Sequence, residues 1–196
     1  MRQTASKRFA ALGALLLAGG ALIDAAGAQS TMAPGAKYAA VDDTGGIRVP
    51  DADYRKDWTM LGTYAVAEEE GKQGSQGLHM VYAQPEAVAA YREHGKFPDG
   101  TVLVKELFST KTEDMTTGTV SRAAKTTGWF VMVKDAKGRF ADHKLWGDGW
   151  GWAYFDAEDP NKTTSTDYEA DCKGCHVPAQ ATDWVFVQGY PVLTGK

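Results

Sequence analysis

Cysteine is nearly absent from this chain, with two residues in 196. That excludes a multi-disulfide scaffold and a four-thiolate metal site. An excess of positive charge is absent too. Lys and Arg number 21 against 25 Asp and Glu, a formal net charge of −4, which argues against nucleic acid or an anionic membrane surface as a partner. No stretch is apolar over the roughly 20 residues that a membrane-spanning helix needs. There are no internal repeats and no low-complexity segments. Histidine is scarce, with four residues, so each one can be weighed by name as a ligand.

The longest apolar stretch, residues 9–23, follows the basic residues Arg2, Lys7 and Arg8 and precedes Ala26-Gly27-Ala28. A basic, then apolar, then small-x-small order is that of an export signal. Ser6-Lys7-Arg8-Phe9 resembles a twin-arginine signal in which Lys replaces one Arg. The expectation is a signal peptide over residues 1–28, cleaved after Ala28, and a periplasmic protein with no membrane attachment after cleavage. Cleavage would remove Arg2, Lys7, Arg8 and Asp24 and so lower the net charge to −6. Residues 29–50 are Ala/Gly/Asp-rich and weakly patterned, which predicts a flexible leader. Residues 51–196 then form one domain, a length that suits a single core.

The two cysteines stand together in Cys172-Lys173-Gly174-Cys175-His176. This Cys-x-x-Cys-His spacing is the attachment signature of a c-type haem. Two residues between the thiols let both reach vinyl groups on neighbouring pyrroles, and the next residue then places an imidazole under the iron. A thioredoxin-like pair would want a βαβ context, a structural zinc site would want four ligands, and a simple disulfide would leave His176 without a role. The pattern predicts one covalent haem c held by Cys172 and Cys175, with His176 on the iron.

Hydrophobic periodicity around the motif is mostly that of strands. Strands are expected over 58–67, 78–83, 101–110, 128–134 and 150–155, with a further one over 116–122 and a loop over 68–77. A short helical turn is expected at 53–57 and a helix over 85–94, where Pro85 suits the first turn, Gly95 the stop, and Val88 and Tyr91 the buried face. Residues 135–138 should turn the chain back, and 168–175 should form a short helix that presents the haem motif. The fold class is mainly β (α+β), an antiparallel sheet with a few short helices and one haem held near the C-terminus.

Several segments resemble the cytochrome P-460 family. They are Phe97-Pro98-Asp99-Gly100-Thr101-Val102-Leu103-Val104-Lys105-Glu106-Leu107, residues 129–140 with the Gly/Trp segment after them, the haem motif, Thr182-Asp183-Trp184-Val185-Phe186 and Tyr190-Pro191-Val192-Leu193. The resemblance spans about residues 54–193. It implies an antiparallel β fold, commonly a homodimer, with one five-coordinate haem, the motif His proximal and an open distal pocket. It also implies action on small nitrogen oxides, hydroxylamine or nitric oxide, and a redox partner such as a small cytochrome. In the P-460 enzymes a Lys is bonded to the porphyrin edge and a distal carboxylate accepts protons. The sister cytochromes c′-beta lack the Lys bond, have a Phe-lined distal pocket, and bind nitric oxide and carbon monoxide.

Two residues divide these readings. Lys105 falls at the position of the cross-linking Lys. In an extended strand it shares a face with Leu103 and Leu107, where desolvation favours the free amine. The plainer reading is that its ammonium reaches the sheet edge. Phe130 falls at the position of the distal carboxylate. It would crowd the iron and exclude water, but it has no proton-accepting group. The plainer reading is a core residue, and a one-residue slip would put Trp129 or Val131 in its place. Trp146-Gly147-Asp148-Gly149-Trp150-Gly151-Trp152, if extended, has an all-glycine face and a face of three Trp with Asp148. Among other ligands, His94 and His143 read as exposed, His79 as a strand residue facing a haem propionate, and Met60, Met80, Met115 and Met132 as core fillers. Five-coordinate iron is therefore expected over the six-coordinate iron of an electron-transfer cytochrome.

Overall fold

The computed structural model describes residues 40–195. The expected signal peptide, its cleavage site and residues 29–39 of the expected leader lie outside that range. Six antiparallel strands form one sheet in the order β1-β2-β3-β4-β6-β5. They are β1 (Thr59–Ala67), β2 (Ser75–Ala83), β3 (Val102–Met115), β4 (Gly118–Lys134), β5 (Trp146–Gly147) and β6 (Trp150–Asp156). Helix α1 (Tyr54–Asp57) precedes the sheet, and α2 (Pro85–His94) crosses from β2 to β3. Helix α2 starts on Pro85 and stops at Gly95, whose φ of 70° is left-handed. Ala87, Val88 and Tyr91 are its buried residues.

Period-two alternation splits the buried residues between two faces. On one face Val81, Leu103, Trp150 and Trp152 pack with α2 and with Tyr168, Trp184, Tyr190 and Leu193 of the C-terminal segment. On the other, Val102, Val104, Val131, Val133 and Phe155 pack with α1 residue Tyr54 and with Ala40 and Ile47. The C-terminal segment carries the functional motif, so the first face is where a site is assembled.

Residues 40–50 correct the expectation of a leader that stays flexible to residue 50. Ala40 and Ile47 are buried, Val41 bridges Ile47, and the Gly45 carbonyl accepts a hydrogen bond from Trp146 Nε1 at 2.8 Å. Small and polar residues hid a segment whose few apolar side chains cap one sheet face.

The expected strands over 101–110, 116–122 and 128–134 are two long strands, β3 and β4, joined at Thr116-Thr117. Beyond Ser109 this ribbon loses its neighbours β2 and β6 and both its sides are largely solvated, so no apolar alternation marks it. Cross-strand polar pairs replace it. Arg122 Nε donates to Glu113 at 2.6 Å, Thr119 Oγ1 to Asp114 at 2.7 Å, and Thr112 and Ser121 hydroxyls lie 2.7 Å apart.

The Gly/Trp segment is not one extended run. Asp148 and Gly149 take φ of 53° and 80° and make the tight turn between β5 and β6, the Asp-Gly hairpin signal. Gly147 then lies against a ring. A Cβ there would meet Tyr168 Cδ1 at 2.1 Å.

Candidate functional site

A cavity of about 500 Å³ opens between the sheet and the C-terminal segment. One wall is sheet, with Lys105 of β3, Phe130 and Met132 of β4, His79 of β2 and Trp152 of β6. The facing wall carries Cys172, Cys175 and His176, with Val185, Phe186 and Tyr190 beyond them. The volume is that of a cofactor or drug-sized ligand site, and the lining is mostly apolar, as such sites are.

Local structure presents the motif. A π-helical turn, Glu169–Lys173, runs directly into a helical turn, Gly174–His176, and then into a 3-10 stretch, Val177–Thr182. The Asp171 carboxylate accepts from the Thr166 and Asp167 backbone N–H groups at 2.7 and 3.0 Å, which caps the entry. Cys172 is buried and Cys175 exposed, and the two thiols are not bonded to each other. Burial pushes the Cys172 thiol up to about 11, so in the folded chain it is a poor nucleophile. Among the described residues no group of three or more His, Cys, Asp or Glu could hold a bare metal ion.

His176 is held on three sides. Its ring meets Trp152 edge-on at 4.7 Å between centroids and lies 5.6 Å from Phe186. Its Nδ1 lies 2.8 Å from the Trp184 carbonyl oxygen. Nδ1 carries the proton in that contact, which leaves the Nε2 lone pair for a metal. Burial lowers its pKa, and only partly is this offset by the Trp184 hydrogen bond. The imidazole is therefore neutral near pH 7, the form that ligates.

Strand register places Lys105 directly beside Phe130 on β4 and Val81 on β2. The Lys105 Nζ lies 4.3 Å from the Phe130 ring centroid. Burial holds the Lys105 ammonium below the ordinary lysine range, with a smaller opposing pull from Cys175 and Cys172. Trp129 and Val131 pack on the opposite face, with Glu106 and Phe155 as neighbours in register or packing, although Val131 also borders the cavity. Phe130 packs on Tyr154, ring centroids 4.6 Å apart.

Other candidates disperse. His79 lines the cavity, and burial, with Lys105 adding repulsion, lowers its pKa. His94 is exposed, and His143 Nδ1 accepts from the Leu145 N–H at 3.2 Å. Met132 lines the cavity and Met80 packs on the far face. Met60 and Met115 correct the expectation of four core fillers, being 50 % and 56 % exposed at an edge strand and a ribbon tip. Asp148 lines no part of the cavity. It accepts from the Tyr168 hydroxyl at 2.7 Å and lies 3.6 Å from Lys173 Nζ.

Sequence reasoning overlooked Tyr64, Gln188 and Asp171 in the lining. Tyr64 donates to the Phe186 carbonyl at 2.9 Å and so ties β1 to the cavity's far rim. An aromatic at an alternating edge-strand position was the only signal. Comparison with known proteins supplies the last observation. The family model described as Cytochrome P460 matches residues 51–187, and no curated protein matches the chain.

Proposed function

Since this chain belongs to the cytochrome P460 family and is a haem protein of that type, we propose that it binds or oxidises small nitrogen oxides at a single c-type haem. The haem would be bonded through Cys172 and Cys175, with His176 as the one protein ligand to five-coordinate iron. The setting proposed is a bacterial periplasm, reached by the signal peptide, with a small cytochrome as redox partner and a homodimer as the assembly.

The observation that carries this reading is the meeting of two distant segments at one cavity. Cys172, Cys175 and His176 line one wall, and Lys105 and Phe130 line the other. The residues present fit a haem. The lining is apolar, both thiols reach the cavity, and His176 offers Nε2 while Nδ1 is engaged. When bound, the haem supplies an iron at which nitrogen oxides coordinate and exchange electrons.

The chain's own residues then set what such a site does. His176 is oriented by Trp184, Trp152 and Phe186. Phe130 excludes water and takes no proton. Asp171 is the carboxylate in the lining, but its Oδ2 already accepts two backbone N–H groups and the Thr166 hydroxyl. His79 also lines the cavity, but burial and Lys105 disfavour its taking a proton. General-base help is worth about 10²–10⁴-fold in rate, and with Phe130 unable to accept a proton and Asp171 engaged, the site favours binding of nitric oxide over rapid hydroxylamine oxidation.

The test is an absorption spectrum and intact mass of the purified protein. One haem that survives acid–acetone extraction, ready carbon monoxide or nitric oxide uptake by the ferrous form, and feeble hydroxylamine oxidation are expected. Haem lost on extraction, or a six-coordinate low-spin spectrum with slow ligand uptake, overturns the reading.

A further inference from the structure

The carbonyl that holds His176 is itself held by unusual means. Asp183 and Trp184 take φ of 59° and 67°. Left-handed backbone at a non-glycine residue is costly and persists only where surroundings over-determine it. Here two successive residues adopt it, and the second, Trp184, is buried. This turn is what points the Trp184 oxygen back at a histidine eight residues earlier.

The Asp183 side chain anchors the turn to the sheet. Its Oδ1 accepts from Lys134 Nζ at 2.6 Å, and its Oδ2 from the Phe97 backbone N–H at 2.9 Å. The side chains of Lys134 and Asp183 are only 10 % and 7 % exposed. Lys134 ends β4, and its ammonium lies 4.7 Å from the ring centroid of Trp150, its partner in register on β6. Taking both charges out of water is costly, so such a pair is weak evidence for stability and better evidence for fixing one geometry.

We propose that Lys134 and Asp183 are positioning residues for the proximal histidine, fixing the Trp184 carbonyl as the acceptor of the His176 Nδ1–H. This rests on the haem reading above. An imidazole that donates a hydrogen bond from Nδ1 is a stronger donor through Nε2. A ferric iron gains more from that donor than a ferrous one. The pair therefore sets the haem potential from across the cavity wall, through a path that runs β4, Lys134, Asp183, Trp184 and His176.

The experiment compares holoprotein of the wild type, K134M, D183N and K134R. Covalent haem content is measured first, then the iron–histidine stretching frequency of the ferrous form and the midpoint potential. K134M and D183N should lower the stretching frequency. They should also shift the ferric-over-ferrous preference about tenfold toward ferrous, a rise of about 59 mV for one electron. K134R, which keeps the charge and a donor, should return both values toward the wild type. D183N retains an acceptor for the Phe97 N–H, so it carries the test if K134M fails to fold. D183N holoprotein with unchanged frequency and potential overturns the positioning role alone. A wild-type chain with no covalent haem overturns the haem reading, and this inference with it.

Discussion

Phe130→Glu tests whether desolvation disfavours the charged form of Lys105. Two effects oppose each other at its Nζ. A cation over an aromatic face gains about 0.5–2 kcal/mol, and the Phe130 ring lies 4.3 Å away. Burial acts against the charge and wins, because the net direction is downward from the ordinary lysine value. A carboxylate at position 130, about 5 Å from Nζ, would attract the ammonium by about 3 kcal/mol at an effective dielectric of 20. That would cut the free-amine fraction at a given pH by on the order of 100-fold. Phe130→Leu removes the ring face only and should raise that fraction by less than about 30-fold. Trace acetylation across a pH series, followed by peptide mapping, reads the fraction, with added Nα-acetyl-lysine amide as the standard. Lys105 should label at lower pH than the standard in the wild type, and its curve should move to higher pH in Phe130→Glu. A wild-type Lys105 curve coincident with the standard would refute the desolvation reasoning. Under the function proposed above, the same substitution would supply a proton acceptor beside the haem while suppressing the amine form of Lys105 that a bond to the haem edge would need. Hydroxylamine turnover and the mass of the haem peptide should therefore move in opposite directions.

Glu106 is fully buried and accepts from Arg55, from the Tyr54 hydroxyl at 3.1 Å and from Thr126 at 2.9 Å. Glu106→Ala should cost about 3 kcal/mol, the low end for a broken buried pair because Arg55 is half exposed, and lower Tm by roughly 10 °C; a calorimetric shift under about 3 °C would show that the network contributes little. Gly147→Ala puts a Cβ 2.1 Å from the Tyr168 ring and should displace the segment leading into the haem motif, read as reduced haem incorporation per folded chain. Burial holds His79 below its ordinary 6.5, so the unfolded chain takes up a proton that the folded chain refuses. Its contribution to stability is complete above about pH 6.5 and lost as pH falls through the lower folded value. The acid-side decline in Tm should be shallower in His79→Gln, and equal slopes would contradict the burial.

What could be read from sequence follows the physics of each signal. The Cys-x-x-Cys-His run is a local pattern and the core strands alternate, so a segment that lines the cavity and the sheet behind it were both legible. Sequence did not pair Lys105 with Phe130; their contact follows from the register of β3 on β4. The outer ribbon of these strands was not legible, because its two solvated sides leave no period to find. Asp148-Gly149 was a legible hairpin signal masked by the competing Gly/Trp alternation around it. Asp183 gave no local sign of its role, since its partners Lys134 and Phe97 are brought to it only by the tertiary fold.

Lys105 and Glu106 are adjacent on β3, face opposite sides of the sheet, and are treated oppositely. Glu106 has its charge answered by Arg55 and two hydroxyls. Lys105 has a ring and two thiols near its amine, and among the described residues no carboxylate pairs with it. A partly buried cation without a counter-ion has its charged form disfavoured, which lowers its pKa. If Lys105 served folding, apolar substitution would weaken the fold as loss of Glu106 does. If it serves chemistry in the cavity, the fold carries it at a cost. Lys105→Leu in a chain whose cysteines are replaced by Ser, so that no haem contributes, should therefore raise Tm or leave it unchanged. In the haem-bearing chain the same change should abolish any haem–lysine peptide. A clear loss of Tm in the haem-free background would show that Lys105 is a structural residue and that its place opposite the haem motif is incidental.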